Sequence, residues 1–144
     1  MNRAQFLALI AAVVAAFVAS SLWYSPLIFG KQLLELSGAG LNPDPAGTKI
    51  AGEILRNIVL ACVIARLIVL LKPSDWKHAL GLGTLLWTGF PFLLLSGSVM
   101  WQNVPWILAV IHAGDWFVKL VLMTAILGSI RERTKAKALA QKPA

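Results

Sequence analysis

The chain has 144 residues, 58% of them hydrophobic and 13% charged, with a net charge of +7 and a mean hydropathy of +0.77. Soluble domains average roughly 45–50% apolar and about 25% charged residues, and so short a chain has too few charges to cover this much apolar surface in water. Composition therefore excludes an ordinary soluble domain and points to one membrane domain, whose apolar surface lipid solvates.

A bilayer core about 30 Å thick is crossed by roughly 20 apolar helical residues. Four segments meet this requirement, at about residues 5–25, 50–71, 78–100 and 106–130. The expected fold is an all-α bundle of four transmembrane helices in a single domain, 1–130, followed by a basic tail, 131–144. The first segment also resembles a signal peptide, with Arg3 ahead of it and a weak cleavage site at Val18-Ala19-Ser20. Its apolar stretch exceeds the usual 7–15 residues of a signal peptide, which favours a membrane helix. It places Ala8, Ala12, Ala16 and Ser20 four residues apart, beside a second row of Ala11, Ala15 and Ala19. Small residues at this spacing let helix backbones approach closely in lipid, either within the chain or between two copies in a homo-oligomer.

After Pro26, the run from Leu27 to Leu36 mixes apolar and charged residues, as an extension of the first helix or a short interfacial helix would. Ser37 to Gly47 is rich in Gly, Pro and Asn and reads as a loop. The second helix carries Glu53, Arg56 and Asn57, with Arg66 toward its other end. Its Cys62 is the lone cysteine, which excludes an internal disulfide and any CxxC metal or redox motif, and in an apolar run it reads as a small packing residue. Lys72-Pro73-Ser74-Asp75 is a tight turn in which Ser74 or Asp75 can cap the third helix. That helix contains Gly81, Gly83, Gly89 and Gly97, with Pro91 near its middle. Proline bends a helix and frees a carbonyl that must find another partner in the membrane. Thr84, Thr88 and nearby backbone are candidates, and the bend can shape a cavity. Leu86-Trp87-Thr88-Gly89-Phe90-Pro91 faintly echoes Leu22-Trp23-Tyr24-Ser25-Pro26.

The last helix follows a short turn ending in Pro105 and places His112, Asp115 and Lys119 three and four residues apart, on one face. Ionisable groups inside a bilayer are costly and mark functional candidates. At a rise of about 1.5 Å per residue, His112, Asp115 and Lys119 lie about 9, 13–14 and 19–20 Å from Trp106. Counted from Ile50, Glu53 and Arg56 lie about 4–5 and 9 Å deep. This places Arg56 and Asn57 level with His112, and gives Asp115 two expected partners, Lys119 and Arg56. One reading makes these charges a satisfied pin between helices two and four. Another makes Glu53, Arg56, Asn57, His112, Asp115 and Lys119 a hydrated path. His112 is then a titratable relay, Asp115 a proton or cation site, and Arg56 and Lys119 counter-charges that also suit a small anion.

Basic residues set the orientation. Arg3, Lys72, Lys77 and the tail residues Arg131, Arg133, Lys135, Lys137 and Lys142 fall on one side, against Lys31 and Lys49 on the other. Both termini are therefore expected in the cytoplasm. The tail also suits anionic lipid head groups, and no aromatic-interleaved basic surface points to nucleic acid. Trp23, Tyr24, Trp101 and Trp106 gather at the outer interface and Trp76 at the inner one. No metalloprotease, nucleophile-elbow, Walker or dinucleotide motif is present, Ser96 and Ser98 read as packing residues, and no enzyme, metal or cofactor is expected.

The stretch Leu22-Trp23-Tyr24-Ser25-Pro26-Leu27-Ile28-Phe29-Gly30-Lys31, with Ala113-Gly114 and the run Leu120 to Gly128, resembles the family catalogued as domain of unknown function 1761. The resemblance implies a four-helix integral membrane protein and supplies no established activity. Asp115 stands where that family often carries an aromatic residue, so its role is read for this chain alone. The expectation is a multi-pass protein of a bacterial inner membrane. Small ion, proton or small-molecule transport through the polar face between helices two and four is the first reading. A non-catalytic scaffold or accessory subunit associating through the face of Ala8, Ala12, Ala16 and Ser20 is the alternative.

Overall fold

The computed structural model describes residues 3–37 and 46–140. The chain forms α1 (Arg3–Trp23), α2 (Gly30–Ser37), α3 (Ala46–Leu71), α4 (Trp76–Trp87), a π segment (Thr88–Phe92), α5 (Leu93–Gln102) and α6 (Trp106–Ala140). No strand occurs among the described residues. Four stretches are long and apolar enough to cross a membrane: Arg3–Trp23, Gly47–Leu71, Trp76–Gln102 and Trp106–Glu132. The distribution of side chains fits lipid as the solvent. Leu7, Val14, Leu55, Val59, Leu85 and Leu94 face outward, while the buried core runs through Ala8, Ala12, Ala16, Ala61, Ile64, Ile68, Leu120, Met123 and Leu127. Bulky groups dissolve in the acyl chains, and small ones permit backbone contact.

The hub is α6, which packs against α1, α3, α4 and α5, and α1 also packs on α3. Ala8, Ala12, Ala16 and Ser20 are almost fully buried by these neighbours of the same chain. Of the two expectations for this face, contact within the chain is the one seen, which leaves little of it open to a second copy or a partner. Cys62 is also placed differently from expectation. The inward stripe of α3 is Asn57, Ala61, Ile64 and Ile68, which leaves the neighbouring Cys62 exposed on the outer surface. Close packing of α4 on α6 depends on Gly83, where a Cβ would lie 2.5 Å from Thr124 Oγ1 and 3.1 Å from Leu120 O. Gly81, Gly89 and Gly97 face open space.

Helix ends differ from expectation for local reasons. α1 stops at Trp23 because the next residues fold into a turn, in which Phe29 N–H donates to Trp23 O (3.2 Å) and Gly30 N–H to Ser25 O (2.9 Å). A Cβ on Gly30 would lie 2.5 Å from Tyr24 O, so the turn needs glycine there. α2 is the expected short amphipathic helix. Asp75 supplies the α4 cap, its Oδ1 accepting His78 N–H at 2.9 Å, and Ser74 Oγ instead lies 2.8 Å from His78 Nδ1. At Pro91, whose missing N–H would orphan the Trp87 carbonyl, the helix widens into a π segment, Thr88–Phe92, a register that can re-pair that carbonyl. Thr84 and Thr88 do not perform this task, since their hydroxyls donate to Leu80 O and Thr84 O. α6 continues to Ala140 beyond the expected end at 130, because residues 131–140 contain strong helix formers and neither Gly nor Pro. The Gly/Pro/Asn loop at 38–45 and the basic Lys142 lie outside the described residues.

Candidate intramembrane ion cluster

The site forms where α1, α3 and α6 meet. Asp115 and Lys119 are one turn apart on α6, so their side chains share a face, and both are almost fully buried. Lys119 Nζ lies 2.9 Å from Asp115 Oδ2 and 2.5 Å from Glu53 Oε1 on α3. The other oxygen of Asp115, Oδ1, accepts the Ser20 hydroxyl of α1 at 2.5 Å. Glu53 Oε2 accepts Arg56 Nη1 at 3.0 Å, and buried Asn57 lies 3.4 Å from Glu53 Oε1. Two carboxylates thus face two cations, and no buried side-chain polar atom among the described residues lacks a hydrogen bond. The balance matters because an unpaired charge would be prohibitive in this setting.

The pairing corrects the expectation for Arg56. It engages Glu53 rather than Asp115, and Lys119 bridges both carboxylates. Two effects account for this. α3 begins at Ala46, four residues earlier than expected, which lowers Glu53 by about one turn. Helical side chains also lean toward their own N-terminus, so the Lys119 ammonium rises to the level of Asp115. Arg56 remains at the rim, its side chain 58% exposed against 24% for Glu53 and 5% for Asp115. Exposure therefore falls stepwise from Arg56 through Glu53 to the buried Lys119–Asp115 pair.

His112 is not joined to the carboxylates by a hydrogen bond among the described residues. Its Nδ1 lies 2.8 Å from Tyr24 OH, and the two rings are in contact, with centroids 5.8 Å apart. The relay role expected of His112 therefore lacks a direct link to Asp115. Ser20, Tyr24 and Trp116 are partners that sequence reasoning missed. Ser20 was legible as the one hydroxyl in an otherwise alanine row. Trp116 carried no such signal, yet its ring lies 5.4 Å from the Arg56 guanidinium carbon and 5.6 Å from Lys119 Nζ, within cation–π range.

Two tryptophans hold α6 in position around the cluster. Trp23 Nε1 donates to Ile111 O at 3.0 Å and Trp87 Nε1 to Ala113 O at 2.8 Å. The faintly similar Trp23 and Trp87 stretches thus do the same work on neighbouring carbonyls. A Cβ on Gly114 would collide with the Trp23 indole, so this glycine admits the ring. Ser96 and Ser98 donate to their own helix, at Leu93 O and Leu94 O. Among the described residues no three His, Cys, Asp or Glu side chains gather as metal ligands, and between Glu53 and Asp115 the ammonium of Lys119 takes the place a cation would occupy. Beyond Lys119 the core is built mainly of apolar residues, among them Ala12, Ile64, Leu120 and Met123, and the buried Thr124 hydroxyl donates to its own helix at Leu120 O, so the cluster ends against apolar packing.

The model of a family described as Protein of unknown function (DUF1761) matches residues 7–128, a stretch that contains the Trp23–Gly30 turn, the ion cluster and both tryptophan anchors. No curated protein and no solved structure matches the chain.

Proposed function

The chain belongs to the DUF1761 family, and from that premise we propose that it is a small membrane transport protein that takes up a proton or small cation at the Glu53–Lys119–Asp115 cluster. The observation that carries this reading is one lysine ammonium shared between a partly exposed carboxylate and a buried one. A proton reaching Glu53 weakens its hold on Lys119, and the ammonium then pairs with Asp115 alone. A small cation acts in the same sense by competing with Lys119 for the carboxylates. Passage beyond the apolar packing requires movement, and the π segment at Pro91 is a suitable place for a helix to flex. The distribution of basic residues supports cytoplasmic termini, and the proposed location is a bacterial inner membrane. The basic residues of the tail suit anionic head groups, and neither a nucleic-acid nor an enzymatic role is proposed.

The second reading is a structural pin, and the full hydrogen bonding and balanced charge of the cluster favour it. Proteoliposomes separate the two. The transport reading expects proton or cation flux from the wild type and at least about tenfold less from Asp115→Asn, with detergent-solubilised folding retained. Absence of proton, cation and small-anion flux in both proteins would sink it and leave the pin.

A further inference from the structure

α3 and the bent α4–α5 helix diverge and leave an apolar cleft of about 440 Å³ between them, within the range of about 300–1,000 Å³ of small-molecule sites. Leu60, Val63 and Leu67 form one wall, Phe90 and Leu94 the other, and Trp116 lies at the end nearer the ion cluster. Along α3 the steps from Arg56 to Leu60, Val63 and Leu67 are four, three and four residues, so the arginine heads the same helical stripe that lines the cleft. Its guanidinium, more than half exposed, lies over Trp116 and engages Glu53 through Nη1. A guanidinium has five N–H donors and suits bidentate contact with a second carboxylate.

We propose that this cleft binds one long-chain carboxylate, a single-chain anionic amphiphile, with its alkyl chain between α3 and α5 and its carboxylate on Arg56. Bulk lipid covers apolar surface anywhere on the molecule, but here Trp116 lines the apolar cleft on one side and carries the Arg56 guanidinium on the other, 5.4 Å from its ring. The depth selects the single-chain form. Arg56 lies nine residues below the start of its span at Gly47, about 13–14 Å, whereas the phosphate of a two-chain lipid stays near the bilayer surface. From Leu60 to Leu67 the cleft runs about 10 Å along α3, and its walls are aliphatic and aromatic throughout, as an alkyl chain requires. This binding is independent of ion flux and stands or falls separately from the transport reading.

The test is photo-crosslinking of the full chain in neutral detergent with a diazirine-bearing palmitate analogue, mapped by mass spectrometry. Adducts are expected on Val63, Phe90 and Leu94, displaced by palmitate and not by hexadecanol or phosphatidylglycerol. Arg56→Gln should weaken apparent binding at least about tenfold, and Leu94→Trp should reduce labelling by filling the cleft. Adducts spread over the exposed face of α1, equal competition by hexadecanol, or an Arg56→Gln affinity within about twofold of wild type would overturn the proposal. Competition by phosphatidylglycerol equal to that of palmitate would overturn the single-chain assignment.

Discussion

Moving an ammonium or carboxylate out of water costs several kcal/mol even after relaxation, and Lys119 is tolerable only because Asp115 and Glu53 both reach it. Removing the cation leaves two carboxylates facing each other. Lys119→Met should therefore lower folding stability by about 3–5 kcal/mol, measured by chemical unfolding in detergent micelles. Arg56→Gln leaves Glu53 paired with Lys119 and should cost less, about 1.5–3 kcal/mol. Equal losses from the two variants would contradict the exposure gradient described for the cluster. The ionisable residues were legible one by one, since charge inside an apolar run stands out. Their pairing was not. Ser20 and Asp115 are 95 positions apart, and their meeting depends on how closely the alanine row draws α1 onto α6. The Lys119–Glu53 bridge depends in turn on the direction in which a lysine side chain leans.

At the scale of elements, the turn after α1 and the row of small residues within it make separate claims. Gly30→Ala forces a Cβ against the Tyr24 and Ser25 carbonyls and should cost about 1–3 kcal/mol. Gly97→Ala, which faces open space, should stay within about 0.5 kcal/mol of wild type. Ala12→Leu should also destabilise by about 1–3 kcal/mol, because Ala12 is buried inside the chain. Its readout is again unfolding in micelles, and an unchanged stability would reopen this face to an external partner. The α4 cap can be followed by pH. Asp75 is held below its ordinary value of 3.8, chiefly by the His78 backbone amide and then by the His78 side chain. A lowered folded pKa means that the cap contributes fully above the unfolded value and is lost as pH falls through the folded one. The difference in unfolding midpoint between wild type and Asp75→Ala should thus be present at about pH 5 and shrink below about pH 4. Helix starts such as Asp75 and Pro105 were legible from capping chemistry. The end of α6 is not legible in the same way, because the bilayer sets where a span stops and does not require the helix to stop there.

For the molecule as a whole, the number and order of the spans could be read directly, since an apolar run of sufficient length is a local property. The arrangement around α6 could not, because packing in lipid is decided by shape, as Gly83 against Thr124 and Gly114 against Trp23 illustrate. The four spans place Ser74 on one side of the membrane and Gln102 on the other. In a Cys62→Ala background, Ser74→Cys should react with a membrane-impermeant thiol reagent only in inside-out vesicles, and Gln102→Cys only in right-side-out vesicles. The exposure gradient from Arg56 through Glu53 to Asp115 opens the ion cluster toward the face where α1 ends, and apolar packing closes it toward the other. One-sided labelling of Glu53→Cys in the same background tests this opening most directly. Modification is expected in right-side-out vesicles and none in inside-out vesicles. Equal modification from both sides, or modification only from the inside, would contradict it.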